Sequence, residues 1–131
     1  MLFRKPKTLT NVEMGRAAED AAAKFLRRKG YRILHRNLRM SGGEIDIVAE
    51  HRGVLVFVEV KARSSDEFGT PLEAVDGRKQ RKLTKLALQY LAEHESAWRN
   101  CRFDVVEVYM RRDGKIERME LITDAFDAQL R

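Results

Sequence analysis

Gly43-Glu44-Ile45-Asp46-Ile47-Val48-Ala49-Glu50, His51-Arg52-Gly53 and Val54-Leu55-Val56-Phe57-Val58-Glu59-Val60-Lys61-Ala62-Arg63 form one continuous stretch. Both flanks are rich in β-branched and aromatic residues, and each carries ionisable residues two apart, the repeat of a strand face. The stretch therefore reads as a β-hairpin. With Arg52-Gly53 as a two-residue turn, Asp46 falls opposite Glu59 and Glu44 opposite Lys61. Two carboxylates and an ammonium then converge between strands apolar enough to be buried. A buried acid pair is costly without a cation between its members, and a hard divalent ion prefers such oxygen ligands. The expectation is a metal site with a lysine beside it; a buried ion-pair cluster is the alternative.

The rest of the chain supplies a frame for this hairpin. Its 131 residues make one α/β domain, residues 10–131, after a basic arm at 1–9. Lys and Arg outnumber Asp and Glu by 26 to 20, for a formal charge of +6. That balance suits a polyanionic partner, nucleic acid or an anionic surface, although a merely basic soluble surface explains it equally well. The single cysteine, Cys101, cannot form an internal disulfide, which fits a reducing compartment. No Cys or His pairs stand at zinc-ligand spacing. No window approaches the roughly 18–20 apolar residues of a membrane span, and no apolar run follows the basic N-terminus, so a cytoplasmic protein without a membrane partner is expected.

Thr10-Asn11-Val12-Glu13 has the form of a capping box, and the alanine-rich helix that follows runs to Lys29, with Gly30 as its C-terminal stop. Its expected core stripe is Met14, Ala18, Ala21, Ala22 and Phe25. Glu19 borders that stripe and is a candidate for an active cleft or an ordinary boundary glutamate. Tyr31 to Leu38 reads as a strand bearing His35 and Arg36, and Arg39 to Gly43 as the turn into the hairpin. Ser64 to Pro71 reads as a loop placed to touch substrate or simply to connect. Asp76 is the expected N-cap of a second helix running to about Glu95, with Leu83, Leu86, Ala87, Tyr90 and Leu91 inward. Gln80 extends that stripe backwards, while Arg78, Lys79, Arg81, Lys82 and Lys85 crowd the first turns against the helix dipole. That cluster suits phosphate contact or a solvated face. Phe103 to Tyr109 and Ile116 to Ile122 form a second hairpin about Asp113-Gly114, and Thr123 or Asp124 is expected to cap a short terminal helix with Ala125, Phe126 and Leu130. Asp104 is expected to pair with a neighbouring backbone group or Arg, outside the site.

An acid at Asp46 on one central strand and Glu59-Val60-Lys61 on the next resembles the PD-(D/E)XK nuclease superfamily. The segments Gly15-Arg16-Ala17-Ala18-Glu19, Gly30-Tyr31-Arg32-Ile33-Leu34, Gly43 to Ala49, Val56 to Arg63, and Arg102-Phe103-Asp104-Val105-Val106 are similar to those of the YraN-type family of small bacterial proteins. The superfamily's Pro is Ile45 here, at a loose position of the motif. Within the superfamily the likeness is to archaeal Holliday-junction resolvases, which also place a glutamate in the first helix, matching Glu19.

The resemblance implies a restriction-endonuclease-like fold, a central mixed sheet flanked by helices in the order α-β-β-β-α-β-β-α. It implies a metal-dependent endonuclease hydrolysing DNA phosphodiester bonds, in branched or junction DNA of recombination and repair, and a homodimer. Asp46, Glu59, the Val60 carbonyl and Glu19 would hold Mg²⁺ or Mn²⁺, with Asp46, Glu59, Lys61 and Glu19 as the catalytic set. Lys61 would orient water, and Glu44 would be an outer ligand or a partner of Lys61. Gln80, Lys79, Arg63 and Arg36 are the expected substrate contacts. A weakly active DNA- or partner-binding module on the same fold, or an RNA-directed nuclease, are the alternatives.

Overall fold

The computed structural model describes residues 8–64, 75–94 and 100–129. Helix α1 spans Asn11–Arg28, followed by strands β1 (Arg32–Met40), β2 (Gly43–His51) and β3 (Val54–Ser64), helix α2 (Gly77–Glu93), and strands β4 (Cys101–Met110) and β5 (Ile116–Phe126). The expected Ser64–Pro71 loop lies, beyond Ser64, outside the described residues, as do Met1 to Lys7 of the basic arm.

Local chemistry sets the boundaries. The Thr10 hydroxyl accepts from the Glu13 N–H, and the Glu13 carboxylate accepts from the Thr10 N–H, so α1 begins in a complete capping box. At its other end Gly30 takes a φ of +90°. Asp76 caps α2 by accepting from the Lys79 N–H at 2.9 Å. Arg52 and Gly53 have φ of +52° and +81°, the two positive values of a type I′ turn, whose twist matches that of the strands it joins.

The sheet order is β1-β2-β3-β4-β5, antiparallel except for the parallel β3–β4 pair, which the connection through α2 makes possible. Strand alternation divides the core. Ile47, Ala49, Val56, Val58, Val106 and Val108 pack beneath α1, while Val48, Leu55, Phe57, Phe103 and Val105 pack beneath α2. This is the α/β architecture with a mixed sheet between helices that the resemblance implies. On α1 the buried stripe is Met14, Ala18, Ala22, Ala23 and Leu26; the expected Ala21 and Phe25 flank it, half-buried.

Two expectations need correction. Residues 123–126 form no terminal helix, because β5 continues to Phe126. Phe126 pairs with Phe103 and stacks on its ring at 4.6 Å. Between Ile122 and Phe126 the strand bulges around Asp104, whose carboxylate accepts from the Asp124 N–H at 2.9 Å. Thr123-Asp124 therefore fills a bulge where it resembled a helix cap. The hairpin register also stops short: neither Asp46 with Glu59 nor Glu44 with Lys61 is a ladder pair. The β2–β3 ladder holds the expected register from His51↔Val54 to Ile47↔Val58 and ends there, and Glu44 pairs with Arg39 of β1 instead.

Candidate metal centre

The site lies where β2 and β3 part. Past Ile47 the regular alternation breaks: Ile47 packs in the α1 core and Ile45 in the α2 core, with Asp46 at the change of face. The Asp46 Oδ2 accepts from the Val60 N–H at 2.9 Å, so a side chain stands in for the ladder bond that the separating strands no longer make. Asp46, Glu59, Val60 and Lys61 line one cavity of about 420 Å³, closed on the α1 side by Met14 and Gly15.

The electrostatics follow from this placement. Burial, then the neighbouring Glu59 carboxylate, push the Asp46 pKa up to about 7, against the pull of the Val60 hydrogen bond and the Lys79 charge. The Glu59 side chain is only 12% exposed and pairs with the Lys79 Nζ at 3.0 Å. Burial opposes the charge on Lys79, but Glu59 and Asp46 outweigh it and raise its pKa. Lys61 is exposed at the cavity wall.

A second set of acids meets Asp46 from the side of α1. Oxygens of Glu19, Glu44 and Asp46 lie within 4.8 Å of one another. Burial and the Asp46 charge raise the Glu19 pKa, while a hydrogen bond with Asn37 lowers it. Glu44, exposed and 3.9 Å from Arg39, sits with the other two acids and away from its expected partner Lys61 in the strand register. These acids can together hold a metal ion. Their donors are all carboxylate oxygens, which fits a hard cation and not a thiophilic one.

The expected substrate contacts separate. Lys79 reaches the acids, and Arg36 borders Glu19 and Asn37 along a shallow groove while paired with Asp20 at 2.6 Å. Gln80 turns back to its own helix start, its Nε2 donating to the Val75 carbonyl at 2.9 Å. Arg63 is a correction. It is buried, 8% exposed, and lies 3.2 Å from the fully buried Glu107, whose Oε2 also accepts from the Tyr109 hydroxyl. An arginine committed to a buried carboxylate is not free to meet a phosphate at the surface. Asp104 stands outside the site as expected, accepting from Tyr31 and Arg102. Sequence reasoning missed Arg112, which also lines the cavity, and the pairing of Lys79 with Glu59. Neither carries a local signal, since each depends on segments distant in sequence.

A family model described as "Uncharacterised protein family UPF0102" matches residues 18–108. The chain is 54% identical over 115 residues to a UPF0102 protein of Symbiobacterium thermophilum, covering 88% of this chain and 97% of that protein. It is 50% identical over 119 residues to a UPF0102 protein of Moorella thermoacetica, covering 91% and 99%. Among solved structures, that of Pyrococcus furiosus SfsA in complex with Ca²⁺ is similar at 18% identity and a TM-score of 0.38, over 79% of this chain and 60% of that one, too remote a likeness to carry function.

Proposed function

The chain belongs to the UPF0102 family, and from that premise we propose that it is a divalent-metal-dependent endonuclease cutting phosphodiester bonds of DNA, branched or junction DNA in particular. One observation carries this reading: Asp46 and Glu59 are brought together at the end of a strand ladder, on the wall of a cavity, with the Asp46 pKa raised to about 7. Carboxyl groups that burial and a second acid shift together inside a cavity cluster at functional sites.

Asp46, Glu59 and the Val60 carbonyl would hold Mg²⁺ or Mn²⁺, with Glu19 and Glu44 as outer acids. A bound ion supplies Lewis-acid stabilisation of the phosphoryl oxygens. The chain's own groups do the rest. The Val60 N–H fixes the Asp46 carboxylate. Lys61, projecting at the cavity wall, orients the attacking water and offsets charge growing on the phosphate. Basic side chains of the first turns of α2 receive flanking phosphates.

The test is cleavage of labelled junction, flap, single-stranded and duplex DNA, with matched RNA, in Mn²⁺, by the wild type and Asp46→Asn. Cutting by the wild type that the variant loses supports the proposal. Equal cutting by both, or none, refutes it, and salt-dependent binding without cleavage would identify a binding module instead.

A further inference from the structure

Lys79 is the side chain whose position the metal-dependent reading does not by itself require. It sits in the first turn of α2, where a cation opposes the helix dipole. The helix start is fixed twice, by Asp76 accepting from the Lys79 N–H and by the Gln80 amide donating to the Val75 carbonyl, so the root of the side chain is anchored. From there Lys79 reaches across to β3 and places its Nζ 3.0 Å from Glu59 Oε1, while its side chain stays 42% exposed. Lys61, on the same strand as Glu59, lies exposed. The cation that offsets the Glu59 carboxylate therefore comes from the helix.

We infer that Lys79 is an internal counter-ion of Glu59 that a divalent cation displaces, and that the released ammonium then meets a phosphate of the nucleic-acid substrate. This rests on the metal-dependent reading above and adds a competition to it: Lys79 and the metal ion contend for one carboxylate. The exposure of the Lys79 side chain leaves it room to swing away, and its anchored root keeps it beside the cavity. Lys79 thus acts through Glu59 as a positioning residue, holding the acids together before metal arrives and linking metal occupancy to phosphate binding.

The experiment is calorimetric titration of Mn²⁺ into the wild type, Lys79→Met and Lys79→Arg at pH 8. Removing a competing unit charge this close should tighten Mn²⁺ binding roughly tenfold in Lys79→Met, with Lys79→Arg near the wild type. Mn²⁺ should also raise the thermal unfolding midpoint of Lys79→Met by more than that of the wild type, a readout that survives if the metal-free variant is poorly folded. With Ca²⁺ present, Lys79→Met should bind short duplex DNA more weakly than the wild type. Unchanged or weaker Mn²⁺ binding by Lys79→Met, or an equal or smaller rise in its midpoint, overturns the inference while leaving the metal reading in place. If the wild type and Lys79→Met both bind no Mn²⁺, the metal reading falls, and the inference with it.

Discussion

The Asp46 carboxyl, with a pKa raised to about 7 by burial and by Glu59, is partly protonated at neutral pH. Its folded-state pKa lies above the unfolded value of about 3.9, so the folded protein binds more protons between those two values. The stability this contributes is fully present below pH ~4 and is lost as pH rises through about 7. Metal-free protein should therefore lose stability over that window in urea titrations, and Asp46→Asn should flatten the loss and gain about 1–3 kcal/mol over the wild type at pH 8. The same variant should cut DNA at least ~100-fold more slowly, a division between stability and activity expected of a site residue and not of a structural one. Arg63 behaves in the opposite sense. Because it faces the fully buried Glu107, Arg63→Ala should cost about 3–5 kcal/mol by strand-ed charge alone, measured by chemical denaturation. A loss of DNA affinity without loss of stability would restore Arg63 to the surface role the sequence suggested.

Elements differ in how openly the sequence declares them. The central hairpin is legible because a period of two and an Arg-Gly turn leave one register, and the ladder from His51 to Ile47 keeps it. The caps at Thr10 and Asp76 are legible because each satisfies its own helix within three residues. The point where β2 leaves β3 is not, since it depends on β1 claiming Glu44 and on Ile45 turning into the α2 core. The end of β5 was hidden for a related reason. Thr-Asp before Ala-Phe suits a helix cap locally, and only Asp104 and Phe103 across the sheet make it a bulge. The Ser41-Gly42 turn into β2 offers a direct check on how the elements meet. Gly43, the first residue of β2, has a φ of +145°, and a Cβ there would stand 2.8 Å from Lys82 Cε on α2. The Lys82 side chain can swing aside, so the cost lies in the backbone: Gly43→Ala should lose about 1–3 kcal/mol by forcing a side chain onto this φ, read by thermal unfolding. Unchanged stability would mean that the backbone at residue 43 relaxes to an ordinary φ without disturbing the turn.

The whole chain carries a formal charge of +6, yet the carboxylates of Glu19, Glu44 and Asp46 meet at one place on it. Arg39 and Lys82 flank Glu44 at the rim of that acidic region. If DNA crosses the rim, replacing both by Ala should lower the slope of log affinity against log salt by about 2, and leave sequence preference unchanged. Among the described residues no helix is long and apolar enough to cross a membrane. What joins the surface charge to chemistry is the acid pair, and a crystal soaked in Mn²⁺ and measured at the manganese absorption edge tests it most directly. The expected result is anomalous density between the Asp46 and Glu59 carboxylates that vanishes in Asp46→Asn. Density absent from that position, or unchanged when Asp46 is replaced, would contradict the assignment of these residues as the metal centre.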